Sequence, residues 1–349
     1  MLFRSWSAFT GLTAWAWNLT TMLITRFLFG AGEAGAYPGI AQVNYSWIPM
    51  EERGLIQGIN SSGTRIGGAV SLVLIPALID NLGWRVSFVI LMGIGCVWAI
   101  GWFRWFRDDP ASHPGVSPEE LAHIVGHRQH TREGDEVHSA DRGESRLSLA
   151  RMLTSVNLWL VSLQYFSSSF TFFFCLTWLF PHLKATYHLS GIQAGLYSAA
   201  PFVCGALGNW VSGWLVDRIY RTGRWAASRR HPAIVGFLLG AIGLAASVHA
   251  ETPLSSIAWF SLAIFGTDMT ISPSWSFCID IGKSHAGVVS GTMNMAGNIG
   301  SFVTALAFPY LAAWTGSNTP FFYIAAGLNL VAVMMWLQLD PRTPLAEGI

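Results

Sequence analysis

Charge is scarce in this chain: only 11% of its 349 residues are Asp, Glu, Lys or Arg, against about 25% in an ordinary soluble domain. A net charge of +1 gives no electrostatic footprint for a nucleic-acid partner. Cysteine is scarce too. Cys96, Cys175, Cys204 and Cys278 form no C-x-x-C pair, which argues against a zinc site or a disulfide framework and leaves them as packing residues. No H-E-x-x-H, G-x-S-x-G or P-loop sequence is present, so enzyme signatures are missing and no cofactor is implied. What abounds is apolar: 52% hydrophobic residues, 17 Trp and 36 Gly. Tryptophan suits the headgroup boundary of a bilayer and glycine suits close helix packing.

Apolar stretches long enough to span a membrane recur ten times, at about 2–18, 20–48, 55–79, 84–106, 154–181, 190–216, 233–250, 254–279, 286–313 and 319–339. The first resembles a secretion signal, with Arg4 ahead of Ala14-Trp-Ala16, but its bulky flanks and the apolar stretch that follows favour a retained helix. A polar segment, residues 107–151, divides a half of four predicted helices (1–106) from a half of six (152–349). Inside it, Ser117-Pro-Glu-Glu120 predicts the capped start of a short surface helix. His123, His127 and His130 on that segment have a spacing open to a metal or to a plain solvated helix face.

Basic residues outside this segment gather in alternate loops: Arg53, then Arg218 to Arg230, then Lys283, then Arg342. Those loops, and with them both termini, are predicted to be cytoplasmic in a multi-pass protein of the cell membrane.

The two halves carry a repeat. Gly58-Ile-Asn60-Ser-Ser-Gly63, with Ile66-Gly67 and Pro76 beyond, matches Gly291-Thr-Met-Asn294-Met-Ala-Gly297, with Ile299-Gly300 and Pro309 beyond. Gly30, Pro38 and Gly54 match Gly266, Pro273 and Gly287, at an offset drifting only from 236 to 233 residues. Such repeats underlie transporters whose substrate site lies at the bilayer midplane between halves. Four helices against six also predicts a helical hairpin ahead of Met1 that this sequence lacks.

Three motifs are specific enough to compare: Arg26-x-x-x-Gly30-x-Gly32-Glu33-Ala34, the Gly58 to Gly68 segment leading to Gly83-Trp84-Arg85, and Ser290-Gly291-x-x-Asn294-x-x-Gly297-Asn298. Together they resemble the major facilitator superfamily, and within it the anion:cation symporters that include sugar-acid and phthalate permeases. The resemblance covers nearly the whole chain. It implies an all-α polytopic fold with ten of twelve transmembrane helices, a monomer, and proton-coupled symport of a small organic anion by alternating access. A facilitator or antiporter for another solute, or a shortened and inactive bundle, are the alternatives. The superfamily's cytoplasmic gate motif is similar to Gly213-Trp-Leu-Val-Asp217-Arg218-Ile-Tyr220-Arg221, with Tyr220 in place of a glycine.

Candidate site residues follow from depth as well as resemblance. Glu33 lies roughly 20 Å into its span, where a carboxylate must be paired, protonated or facing water. It is the candidate proton-coupling group, with packing as the alternative. Arg26, seven residues earlier and so on the same face, either holds Glu33 and attracts the substrate or ties helices near the membrane surface. Arg65 is a substrate cation or the partner of Glu33, and Asp268 falls one place from the repeat counterpart of Glu33. Thr64, Asn294 and Asn298 are candidate hydrogen-bond partners for a hydroxylated substrate, Thr64 and Asn298 equally for a neighbouring helix. Gln164, Ser168, Ser272 and Trp275 are weaker cavity candidates, with packing the favoured alternative for Trp275. Ser168 stands where the glutamate-carrying branch has an arginine, so the resemblance favours a hydroxylated monoanion or sugar acid over a dicarboxylate.

Overall fold

A computed structural model describes residues 3–127, 149–343 and 345; residues 128–148 of the polar segment, including His130, lie outside them. The described chain is α-helical with short 3-10 turns. In the first half, α1 (Phe3–Leu12), α2 (Leu19–Glu33), α3 (Ala36–Trp47) and α4 (Arg53–Trp105) follow one another. The short α5 (Pro118–His127) and α6 (Leu149–Thr154) flank the undescribed stretch. The second half contains α7 (Val156–Thr177), α8 (Leu179–Tyr187), α9 (Gly191–Arg221), α10 (Trp225–Ser247), α11 (Pro253–Met269), α12 (Ile271–Gly282), α13 (Ala286–Thr315) and α14 (Thr319–Gln338).

Local chemistry sets many of the helix ends. The Asn18 side chain accepts from Thr21 N–H at 2.8 Å and the Thr21 hydroxyl accepts from Asn18 N–H at 3.2 Å, a reciprocal box that starts α2. Ser190 with Gln193 and Thr252 with Ser255 do the same for α9 and α11. The expected surface helix is α5, and Ser117 Oγ accepts from Glu120 N–H at 3.1 Å at its start.

Two predicted spans are each broken in the middle. Residues 20–48 form α2 and α3 with a turn at Ala34 and Gly35, and residues 254–279 form α11 and α12 with a break at Thr270. Pro38 and Pro273 explain both, because each removes a ladder donor and crowds the carbonyl four residues earlier, that of Ala34 or Met269. The Met269 carbonyl is taken instead by the Ser212 hydroxyl at 2.5 Å. The repeat is thus visible in the backbone. It recurs where Gly83 (φ 76°) divides α4 into two helices and Gly316 (φ 69°) ends α13 before α14.

Six stretches among the described residues have both the length and the apolarity to cross a membrane. They account for seven of the ten expected spans, since Pro253–Thr315 contains two. The other three fall short for stated reasons: α1 has ten residues, α2 and α3 are separated by the break, and the first part of α4 is diluted by Asn60, Ser61, Ser62, Thr64 and Arg65.

Two apolar clusters hold the second half together. One stacks Phe170, Phe174, Phe260, Phe308, Phe321 and Phe322, and the other packs Trp275, Phe277 and Trp336. Outside them, large apolar side chains such as Phe27 (76% exposed) and Trp314 (85% exposed) face outward, as a perimeter in lipid requires and a water-soluble surface does not. Of the four thiols, Cys175 and Cys278 are buried, whereas Cys96 is exposed, so packing does not describe all of them. The halves meet where the first part of α4 lies against α9 and where α3 lies against α13.

Candidate functional site

Both helix breaks open onto one cavity of about 620 Å³ between the halves. Glu33 and Tyr37 reach it from the α2/α3 break, Ile271 and Trp275 from α12, and Thr64 and Arg65 from α4. Helix breaks at such a depth are tolerated where the backbone lines a cavity rather than lipid.

Arg65 is the single cation and Glu33 the single acid among the described residues that line the cavity. Arg65 grips Asp268 with its fork: Nε donates to Oδ2 at 2.6 Å and Nη2 to Oδ1 at 2.5 Å. The guanidinium also lies 3.4 Å from the centre of the Phe172 ring, a cation–π contact strengthened by the burial of the guanidinium. Asp268 itself is fully buried and sits behind the arginine. The pair joins α4 of one half to α11 of the other.

This corrects two readings. Arg65 pairs with Asp268 and not with Glu33, for which no ion pair is found among the described residues. Arg26 does not hold Glu33 either, nor does it line the cavity. Its guanidinium donates to the Thr13 hydroxyl and lies 5.4 Å from the Phe29 ring and 5.2 Å from the Phe88 ring, bracing α2 against its neighbours. A spacing of seven residues aligns two side chains on a face but also sets them about 10 Å apart along the axis.

Thr64, Ser168, Asn294 and Asn298 line the cavity as named. Thr64 shares a hydrogen bond with the Tyr37 hydroxyl at 3.0 Å and Ser168 one with Thr270 at 3.2 Å. Gln164 and Ser272 do not reach it. Gln164 donates to Ser274 at 3.1 Å and accepts from Trp336 Nε1 at 3.1 Å, while the Ser272 hydroxyl donates to the Gly54 carbonyl at 2.7 Å. Both are helix-to-helix ties in which no hydrogen-bonding capacity is left facing a ligand.

Sequence reasoning named Trp275 as a weaker cavity candidate and missed the rest of the aromatic wall, Tyr37 and Tyr165. Tyr165 accepts from Trp275 Nε1 at 3.2 Å, and Tyr37 lies 5.6 Å from the Trp275 ring. Trp275 therefore packs and lines the cavity at once. Aromatics are so common in this chain that no spacing rule distinguishes a cavity wall from a lipid face.

At one end of the bundle the halves are locked together. Asp217 receives the Gly54 N–H at 2.8 Å and the Leu55 N–H at 2.7 Å, so a carboxylate on α9 caps the start of α4 and complements its dipole. The close approach needs glycine: a Cβ on Gly213 would stand 2.7 Å from the Gly54 carbonyl oxygen, and one on Gly58 2.5 Å from that of Asn209. Arg218 stacks on Trp214 at 4.8 Å, and Arg221 faces a shallow surface hollow beside Glu51. Tyr220, in the expected glycine position, donates to Met50 Sδ at 3.7 Å and takes Arg229 over its ring at 5.6 Å.

Beside this lies a network that the sequence did not reveal. Arg53 Nη1 and Arg229 Nε donate to opposite oxygens of Asp280, each at 2.7 Å, all three side chains being fully buried. Trp225 Nε1 adds a bond at 3.0 Å. Arg53 and Arg229 read as solvated loop charges in a linear sequence; only the fold brings Asp280 between them. His123 and His127 stack on exposed α5, and no group of three metal-ligating side chains occurs among the described residues.

A two-sided helical bundle with broken helices around a central polar cavity, closed at one end, defines a membrane transporter and not an enzyme. Residues 2–305 match the model of the Major Facilitator Superfamily, and the chain belongs to that superfamily as a multi-pass membrane protein. It is 30% identical over 337 residues to the probable sulfoacetate transporter SauU of Cupriavidus necator, covering 96% of this chain and 76% of that one. It is 29% identical over 350 residues to the probable galactarate/D-glucarate transporter GudP of Escherichia coli K12, with the same coverages. Among solved structures, the proton:xylose symporter XylE bound to 6-bromo-6-deoxy-D-glucose superposes with a TM-score of 0.73 at 16% identity, covering 99% of this chain and 80% of that one, which is a likeness of fold.

Proposed function

We propose that this transporter carries a small organic anion of the sugar-acid kind, together with a proton, across the cell membrane by alternating access. The observation that carries this reading is the charge arrangement of the central cavity among the described residues: one cation, Arg65, and one acid, Glu33, with no ion partner among them. An anion needs Arg65, and a proton on Glu33 lowers the electrostatic cost of enclosing that anion in a low-dielectric cavity. Thr64, Ser168, Asn294 and Asn298 supply neutral partners for hydroxyl groups, and Tyr37, Tyr165 and Trp275 supply flat apolar surface. Relatives named for sulfoacetate and for galactarate or D-glucarate agree with a small carboxylate-bearing substrate.

The halves 1–106 and 152–349, joined by 107–151, rock about this cavity as a monomer. Gly213, Asp217, Arg218 and Arg221 form the gate. Arg218, Arg221 and Arg224 put this gate on the cytoplasmic side with both termini, and the conformation described is then open to the outside.

The test is uptake into proteoliposomes with an inward proton gradient. D-Galactonate, D-glucarate and sulfoacetate are offered in turn, and at least one is expected to accumulate with alkalinisation of the outer medium. Glu33→Gln should abolish accumulation against a gradient while retaining exchange of internal for external anion. If none of the three moves a proton, the reading fails.

A further inference from the structure

Helix α8 starts where α7 breaks at Trp178, beside the start of α9 and so at the end of the bundle opposite the gate. It follows directly from Phe172, Phe173 and Leu176, which line the cavity. Leu179, His182 and Leu183 share one of its faces, and both leucines are fully buried. The third anchor is therefore an imidazole in an apolar place. Its ring centre stands 6.0 Å from those of Phe174, Phe260 and Phe308 and 5.4 Å from that of Phe322, which sets one side chain of α8 among α7, α11, α13 and α14 at once. Its polar contacts converge on Nδ1, which accepts from Asn318 Nδ2 at 3.2 Å and from the Thr186 hydroxyl at 3.4 Å. An amide nitrogen only donates, so Nδ1 carries no proton in this arrangement.

We propose that His182 is a proton-operated latch at the mouth of the cavity: as a neutral imidazole it docks α8 on α11, α13 and α14, and as an imidazolium it releases α8. One proton added to Nδ1 removes both of its hydrogen bonds, turns an N–H towards the N–H of Asn318 and leaves a cation enclosed by four phenyl rings, which desolvation opposes. Released α8 swings about the break at Trp178 and the charge meets solvent. The latch is distinct from Glu33, which faces the cavity itself, and it operates whatever anion the cavity takes.

No neighbouring charge competes for this role. The faces that α7, α11, α13 and α14 turn to the imidazole are phenylalanine, and Cys175 of α7 and Tyr197 of α9 belong to the same apolar cluster. Between Gly191 and Val216, α9 has no Asp, Glu, Lys, Arg or His. On α8 itself Lys184 is exposed, as is His188 just beyond it, and Tyr187 donates to the Ala250 carbonyl at 2.9 Å. Past α10, Glu251 is exposed and His249 pairs with the Tyr323 hydroxyl of α14 at 3.3 Å. Beyond the spanning stretch Val156–Thr177, burial alone pushes His182 from its ordinary 6.5 down to about 4. The docked state thus holds the proton less tightly than the released one: docking is fully favoured above about 6.5 and weakens as pH falls towards about 4, by up to about tenfold per unit.

The test is amide hydrogen exchange on the full chain in detergent, read by mass spectrometry over residues 179–187 and compared at matched pH between wild type and His182→Phe, so that the effect of pH on exchange chemistry cancels. The ratio of the wild-type rate to that of His182→Phe should rise by about tenfold from about pH 7 to about pH 5, while the ratio for α11, α13 and α14 stays constant. His249→Gln should show the same rise as wild type. If His182→Phe does not fold, His182→Gln, neutral at every pH, takes its place. A ratio that does not change with pH overturns the proposal. An equal rise across α11, α13 and α14 overturns it as well, since acid then loosens the whole half and not α8, and loss of the rise in His249→Gln would move the switch away from His182.

Discussion

At the scale of single residues, the buried charges show how position changes the meaning of a side chain. Arg65 and Asp268 lie more than 200 residues apart and are buried together. Removing one leaves the other without compensation, which costs about 3–5 kcal/mol, whereas removing both is close to neutral. Arg65→Gln is therefore expected to unfold at lower temperature in detergent than either wild type or the Arg65→Gln/Asp268→Asn double variant, a non-additive cycle readable by scanning fluorimetry. Arg26 behaves differently: it reaches a hydroxyl and two aromatic rings and balances no buried acid among the described residues. Arg26→Lys should lower stability by only about 1 kcal/mol, with D-galactonate affinity retained. A loss of affinity without loss of stability would return Arg26 to the site.

At the scale of elements, prolines and glycines decide where helices break and where they touch. Pro38 and Pro273 interrupt two spans at equivalent depth and deliver Glu33 and Asp268 to the centre of the bundle. Gly83 adopts φ 76° and ψ 157° between the two parts of α4, a region essentially confined to glycine that costs an L-residue about 1–3 kcal/mol. Gly58 and Gly213 let α4 and α9 approach until backbone meets backbone. Gly58→Val should therefore force these helices apart and bias the protein away from the described state. Spin labels on Glu52→Cys and Thr222→Cys, both exposed near this contact, should report a longer distance in the variant. An unchanged distance would mean that α4 and α9 do not close the bundle here.

At the scale of the whole molecule, one end is held by links between the halves that include Asp217 on the start of α4, Ser272 on the Gly54 carbonyl, and Asp280 on Arg53. All must part for the cavity to open at that end. The described state is favoured only by as much as these contacts exceed their replacements, so loosening one shifts the population and not merely the stability. Asp280→Asn keeps the shape but removes the charge between two guanidinium groups, and the same spin-label pair should then show an enlarged open fraction. Retention of the closed distance would place the lock in the remaining links, Asp217 and Ser272 among them.

Much of this was legible in the linear chain. Hydropathy, glycine content and the repeat at an offset near 234 residues determined a helical membrane bundle of two related halves, because a bilayer imposes its length and polarity requirements on each segment separately. Depth alone marked Glu33, Arg65 and Asp268 as costly and hence purposeful. Partnership was not legible. That Arg65 takes Asp268 rather than Glu33, that Gln164 and Ser272 serve helix contacts, and that Arg53 and Arg229 share Asp280 inside the protein were decided only when helices distant in sequence came within hydrogen-bond reach of one another. The physical reason is that burying an ion costs energy its own helix cannot return, so its partner is chosen by the geometry of packing between halves.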